Sequence, residues 1–82
     1  MKIIITVNFA NDKFNNDFNL SNALLNKHTV LMVSSNDQLI EAKKHYDLVI
    51  IGQSSQDIDR GTLKDIKCLD ANKDKDKINN LL

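Results

Sequence analysis

The sequence predicts an α/β fold, a small open three-layer structure in which helices cover both sides of a parallel sheet of three or four strands. Three observations carry that prediction. Tyr46 to Gly52 contains Leu48-Val49-Ile50-Ile51, an apolar run entered through Asp47 and stopped by a glycine, with no polar face. A half-buried strand alternates apolar and polar residues, so this run is covered on both sides and marks a central strand. Lys2 to Val7 is a second apolar, β-branched run, bounded by Asn8. Finally, strand-like and helix-like spacing alternate as strand, helix, strand, helix, strand up to Gly52, which is the repeating unit of a parallel sheet with right-handed crossovers.

Taken in order, the first strand is Lys2 to Val7. From Asn8 to Asn19 the chain is polar and rich in asparagine, punctuated by Phe9, Phe14 and Phe18. Phe14, Phe18 and Leu25 stand at helical offsets of four and seven, which predicts a helix ending near Lys27. Asn11 or Asp12 would cap a long version of it, Asp17 or Asn19 a short one. Its face toward the sheet would use Phe14, Phe18, Leu24 and Leu25. Thr29 to Val33 is the next β-rich run. Ser35 and Gln38 then have the spacing of a capping box, opening a helix from Asp37 to His45. Leu39, Ile40 and Ala42, helped by Tyr46, form its apolar stripe opposite Glu41, Lys43 and Lys44. With the two helices on opposite faces of the sheet, the strand order is 2-1-3.

After Gly52 the signal weakens. Gln53 to Gly61 offers Ser54 and Ser55 as caps for a single helical turn, and Ile66 to Leu69 reads as a short fourth strand reached by a stunted crossover. Asp70 to Leu82 closes the chain as a helix whose Ile78, Leu81 and Leu82 sit at i, i+3 and i+4. No linker divides the sequence, so residues 1–82 form one domain.

Charge and composition exclude several functions. Eleven basic and eleven acidic residues cancel, leaving no long-range field to gather nucleic acid or an anionic membrane. Arg60 is the only arginine, which removes the usual bidentate reader of phosphate and guanine from nearly the whole surface. No apolar stretch approaches the roughly 20 residues of a membrane span, and the opening run meets Asn8 too soon for a signal-peptide core. The single cysteine, Cys68, can form no intrachain disulfide and suits a reducing compartment, so a cytoplasmic location is expected. Pro and Trp are absent, while there are eleven Asn and ten Lys. That balance is typical of AT-rich coding sequence, as in a low-GC bacterium or its phages and other mobile elements.

In open parallel sheets, ligands bind beyond the carboxyl ends of the strands where the strand order reverses. Here that rim is built from Asn8 after the first strand, Ser34, Ser35 and Asn36 after the second, and Gly52, Gln53, Ser54 and Ser55 after the third. These residues could hold a phosphate or small polar ligand on hydroxyls and backbone N–H groups; their plainer role is to cap helices and turns. Neither phosphate-loop glycine pattern is present. Asp70, Asn72, Asp74 and Asp76 imitate half a calcium loop, but Lys75 and Leu81 occupy the positions that need glycine and glutamate. His28 and His45 fall at the opposite end of the sheet, as helix C-terminal residues. Cys68 falls inside a strand, as a small hydrophobe.

In outline, Met1 to Val7, the run from Tyr46 to Gln53 and Lys67-Cys68-Leu69-Asp70 with its closing helix resemble the small IIB domains of the bacterial sugar phosphotransferase system. They also resemble the first half of response-regulator receivers. Both are flavodoxin-like, and the resemblance implies the strand order 2-1-3-4. Its chemistry does not carry over. The phosphorylated cysteine of such a IIB domain would follow the first strand, where Asn8 to Ala10 stand, and a receiver's aspartate would end the third, where Gly52 or Gln53 stands.

With no catalytic constellation, the reading favours a non-catalytic binding protein over an enzyme, with no cofactor and no metal. The expected partner is another protein, to which a regulator or inhibitor would dock through aromatic anchors at Phe9, Phe14 and Phe18. A homodimer is a further arrangement. The alternative is a small-ligand or phosphate-binding module, or a degenerate IIB-like phosphotransfer module, using the polar rim.

Overall fold

The computed structural model describes residues 1–6, 9, 16, 19–52, 60–71 and 73–82. Four strands, β1 (Lys2–Thr6), β2 (Thr29–Val33), β3 (Leu48–Ile51) and β4 (Lys67–Asp70), pair in parallel in the order β2-β1-β3-β4. Between them lie α1 (Leu20–Lys27), α2 (Asn36–Ala42) and a 3₁₀ turn (Arg60–Leu63), and α3 (Lys75–Asn79) closes the chain. This is the expected small flavodoxin-like α/β architecture, and the fourth strand runs parallel.

Strand register divides the core in two. Ile3 lies beside Val30 and Leu48, and Ile5 beside Met32 and Ile50. Those side chains share one face, where Ile3, Ile5, Leu48, Ile50 and Leu69 pack with Phe9, Leu20, Leu24 and Ile78. Ile4, Val33, Val49 and Ile51 point the other way and pack with Leu39, Ala42 and Leu63. The helices α1 and α3 therefore cover one face, and α2 with the 3₁₀ turn covers the other. All four residues of β3 are at most 2% exposed, which is why the run has no polar position. Each such aliphatic side chain contributes about 1.5–3 kcal/mol of burial.

The first helix departs from its predicted face. Asn19, its N-cap, sits in the left-handed region at φ 52°, ψ 45°, a conformation that asparagine tolerates better than most residues. Helical phase restarts after it, so Leu20 and Leu24, four apart, face the sheet, and Leu25 is 55% exposed rather than buried. Phe14 and Phe18, the other residues expected on that face, lie outside the described residues.

The capping box forms with a shift. The Ser35 hydroxyl accepts the Gln38 N–H at 3.3 Å, and the Gln38 amide oxygen accepts the Ser34 N–H at 2.6 Å rather than that of Ser35. The helix it opens ends at Ala42, short of the predicted His45, because the next turn tightens: the His45 N–H reaches back to the Ala42 carbonyl at 3.0 Å. Leu39 and Ala42 are buried as expected, whereas Ile40 is on the exposed side. Lys43 bridges α2 to the 3₁₀ turn by donating to the Thr62 carbonyl at 3.0 Å, with Asp65 at 3.4 Å.

The closing helix is shorter than its pattern implies. The Asp74 carboxylate accepts the Asp70 N–H at 2.9 Å, which ties Asp74 to the end of β4, and the helix starts only at Lys75. Beyond Asn79, the N–H groups of Leu81 and Leu82 bond three residues back, and both side chains pack against the first core.

Candidate functional site

The polar rim at the carboxyl ends of the strands is where a ligand was expected. Pairing of Thr6 with Val33 brings the ends of β1 and β2 together, so Ser34, Ser35 and Asn36 do stand at that edge, with Gly52 following β3. Their polar groups are turned inward on their own chain. The Ser34 hydroxyl and N–H both donate to the Gln38 side chain, and the Ser35 hydroxyl is held by the Gln38 N–H. Asn36 and Gly52 are likewise engaged, and Gly52 is buried. Asn8, Gln53, Ser54 and Ser55 lie outside the described residues. The described part of the rim thus acts as a helix cap.

Of the three aromatic candidates, Phe14 and Phe18 also lie outside the described residues. Phe9 is 0% exposed and belongs to the first core, and its N–H donates to the buried Thr6 hydroxyl at 3.2 Å. Its ring serves the fold and offers no surface to a partner.

An apolar opening lies elsewhere, along β2. It is a groove of about 420 Å³. Leu31, Met32 and Val33 of β2 form one wall, Gln38, Glu41 and Ala42 of α2 the other, and His45 and Tyr46 close its end. β2 is the outer strand of the sheet, so on its far side no described strand covers it. Leu31, 37% exposed, is a large apolar side chain facing the groove; its neighbour Met32, whose side chain turns to the other face of the sheet, is 57% exposed on the same open strand. Glu41 on the rim pairs with Lys44 at 3.4 Å.

Comparison of the chain with protein-family models, with characterised proteins and with solved structures finds no match. Function must therefore be argued from the surface itself.

Two further side chains have roles that their sequence positions did not indicate. His28 ends α1 as expected, its N–H bonding the Leu24 carbonyl, but its ring also reaches the Leu81 carbonyl at 2.8 Å and so fastens the C-terminal turn to α1. A carbonyl oxygen can only accept, so Nε2 of His28 carries the hydrogen of that bond. His45 lies three residues beyond the end of α2, not at its C-terminus as expected, and lines the groove. Among the described residues, no cluster of three or more His, Cys, Asp or Glu could hold a metal ion, and no helix is long and apolar enough to cross a membrane. The groove residues were missed because no motif marks them. The available signal was the strand order: 2-1-3 makes the second strand an edge, and an edge of Val-Leu-Met-Val exposes apolar surface.

Proposed function

We propose that the chain is a small non-catalytic binding protein that acts by docking on another protein, as a regulator or inhibitor, through the groove between β2 and α2. The observation that supports this reading is the exposure of Leu31 at the groove wall, with Met32 exposed beside it on the same open strand edge. Single exposed apolar side chains are ordinary. A contiguous set lining a concavity, rimmed by Gln38, Glu41 and His45, has the apolar centre and polar border of a protein interface. The engaged rim serines favour this reading over a phosphate-binding or degenerate IIB-like module at the carboxyl ends of the strands.

Site-specific photocross-linking tests it. A benzoylphenylalanine in place of Glu41, on the groove wall, should cross-link to a polypeptide in cells producing the protein. The added change Leu31→Lys should cut the yield about tenfold, the effect of burying a charge at an interface anchor. Undiminished cross-linking by a folded Leu31→Lys protein would remove the groove from the interaction. Thermal stabilisation by millimolar nucleotide or sugar phosphate, with no cross-link, would move function to the polar rim.

A further inference from the structure

The same surface identifies one partner by its geometry, and this step rests on the docking reading above. The Thr29 N–H donates inward to the Met1 carbonyl at 3.0 Å. Backbone groups of successive residues in a strand turn to opposite sides, so Thr29, Leu31 and Val33 bond to β1, while Val30 and Met32 direct both N–H and C=O outward. Among the described residues nothing pairs with that outer side. Protein edges are usually guarded by charge, proline or a bulge. The other edge, β4, carries Lys67 and Asp70, whereas β2 reads Thr-Val-Leu-Met-Val, without a charged residue.

That strand is also complementary to itself. Run antiparallel to a second copy about a two-fold axis at Leu31, Val30 and Met32 each meet the other residue type of the partner. Their outward N–H and C=O groups then exchange hydrogen bonds, and Leu31 faces Leu31 at a non-hydrogen-bonded position, where side chains are closest. Exposed Met32 covers the partner's half-buried Val30, and Thr29 meets Val33. No charge opposes a like charge along the seam. A pairing in which one residue faces its own copy is the isologous arrangement of a two-fold dimer. We infer that two copies of this chain join β2 to β2 in antiparallel register centred on Leu31, merging two four-stranded sheets into one of eight strands.

Light scattering with charge-swapped variants decides the matter. At about 100 µM, where a dimer of micromolar affinity is filled, the wild type should have twice the 9.3 kDa chain mass. Leu31→Lys and Leu31→Glu each place like charges face to face, and each should run at 9.3 kDa with an unchanged circular dichroism spectrum. Mixing the two variants should restore the doubled mass, because each lysine then faces a glutamate. Met32→Lys, at the more exposed position, should also weaken the dimer at least tenfold and serves if substitution at 31 unfolds the chain. A wild type of single mass, a dimer indifferent to these changes, or folded variants that fail to recombine would overturn the assignment. A monomeric wild type whose Glu41 cross-link to a foreign polypeptide is lost in Leu31→Lys would overturn the self-pairing alone and leave the docking surface in place. A single mass with no cross-link would defeat both.

Discussion

Phe9→Ala should lower the free energy of unfolding by about 3–5 kcal/mol, the range for removing a fully buried aromatic ring. A domain of 82 residues has roughly 4–12 kcal/mol in total, so the variant should be close to unfolded at room temperature. The size of the effect follows from position. The ring is 0% exposed among Leu20, Leu24, Ile3 and Ile5 in the first core, and the Phe9 N–H is held by Thr6, so the neighbouring backbone cannot readily close over the cavity. A urea titration measures it. A loss below about 1 kcal/mol would return Phe9 to the candidates for a surface anchor, since truncation of an exposed side chain costs little.

Val49→Asp and Ile50→Asp should each abolish folding, although the two positions are adjacent. Neighbouring side chains on a strand point to opposite faces, and in most antiparallel sheets one of the two would be in water. Here Val49 enters the core beneath α2 and Ile50 the core beneath α1 and α3, both at 0% exposure. An unpaired carboxylate at either place costs several kcal/mol, enough to consume most or all of the stability of a domain this small. Circular dichroism at neutral pH reads the outcome, and Leu25→Asp, on the exposed side of α1, is the control that should fold normally. If one of the two core variants folded as well as the control, the sheet would not be covered on both faces.

Strands were the legible part of this sequence. β2 and β3 fall where their apolar runs are, and β4 is displaced by one residue, with Ile66 packing just outside it. Helix faces were harder to read because their phase depends on where each helix starts. The offsets linking Phe14, Phe18 and Leu25 hold only for a continuous helix, and the left-handed Asn19 resets the count so that Leu20 takes the buried place. Similarly, Ile78, Leu81 and Leu82 read as one helical stripe, but Asp74 spends its carboxylate on the exit from β4 and leaves only a short helix.

The site was less legible than the fold. Thr29 to Val33 and Leu48 to Ile51 look alike as apolar runs, yet one is the edge of the sheet and the other its centre. Local pattern does not carry that difference, because it comes from pairing. Of the rim serines, Ser34 and Ser35 are used by the structure in capping α2. Exposed apolar area accordingly appears on a strand that periodicity alone assigns to the interior.

If the outer edge of β2 is the interacting surface, amide hydrogen exchange at single residues reads it out. In the wild type at about 100 µM, the Val30 and Met32 amides should exchange as slowly as those of Thr29, Leu31 and Val33, which bond to β1. On dilution, or in Leu31→Lys, Val30 and Met32 should accelerate by at least about tenfold while the other three hold their rates. Fast exchange at Val30 and Met32 at every concentration, with the alternate residues protected, would show a bare edge and contradict the account.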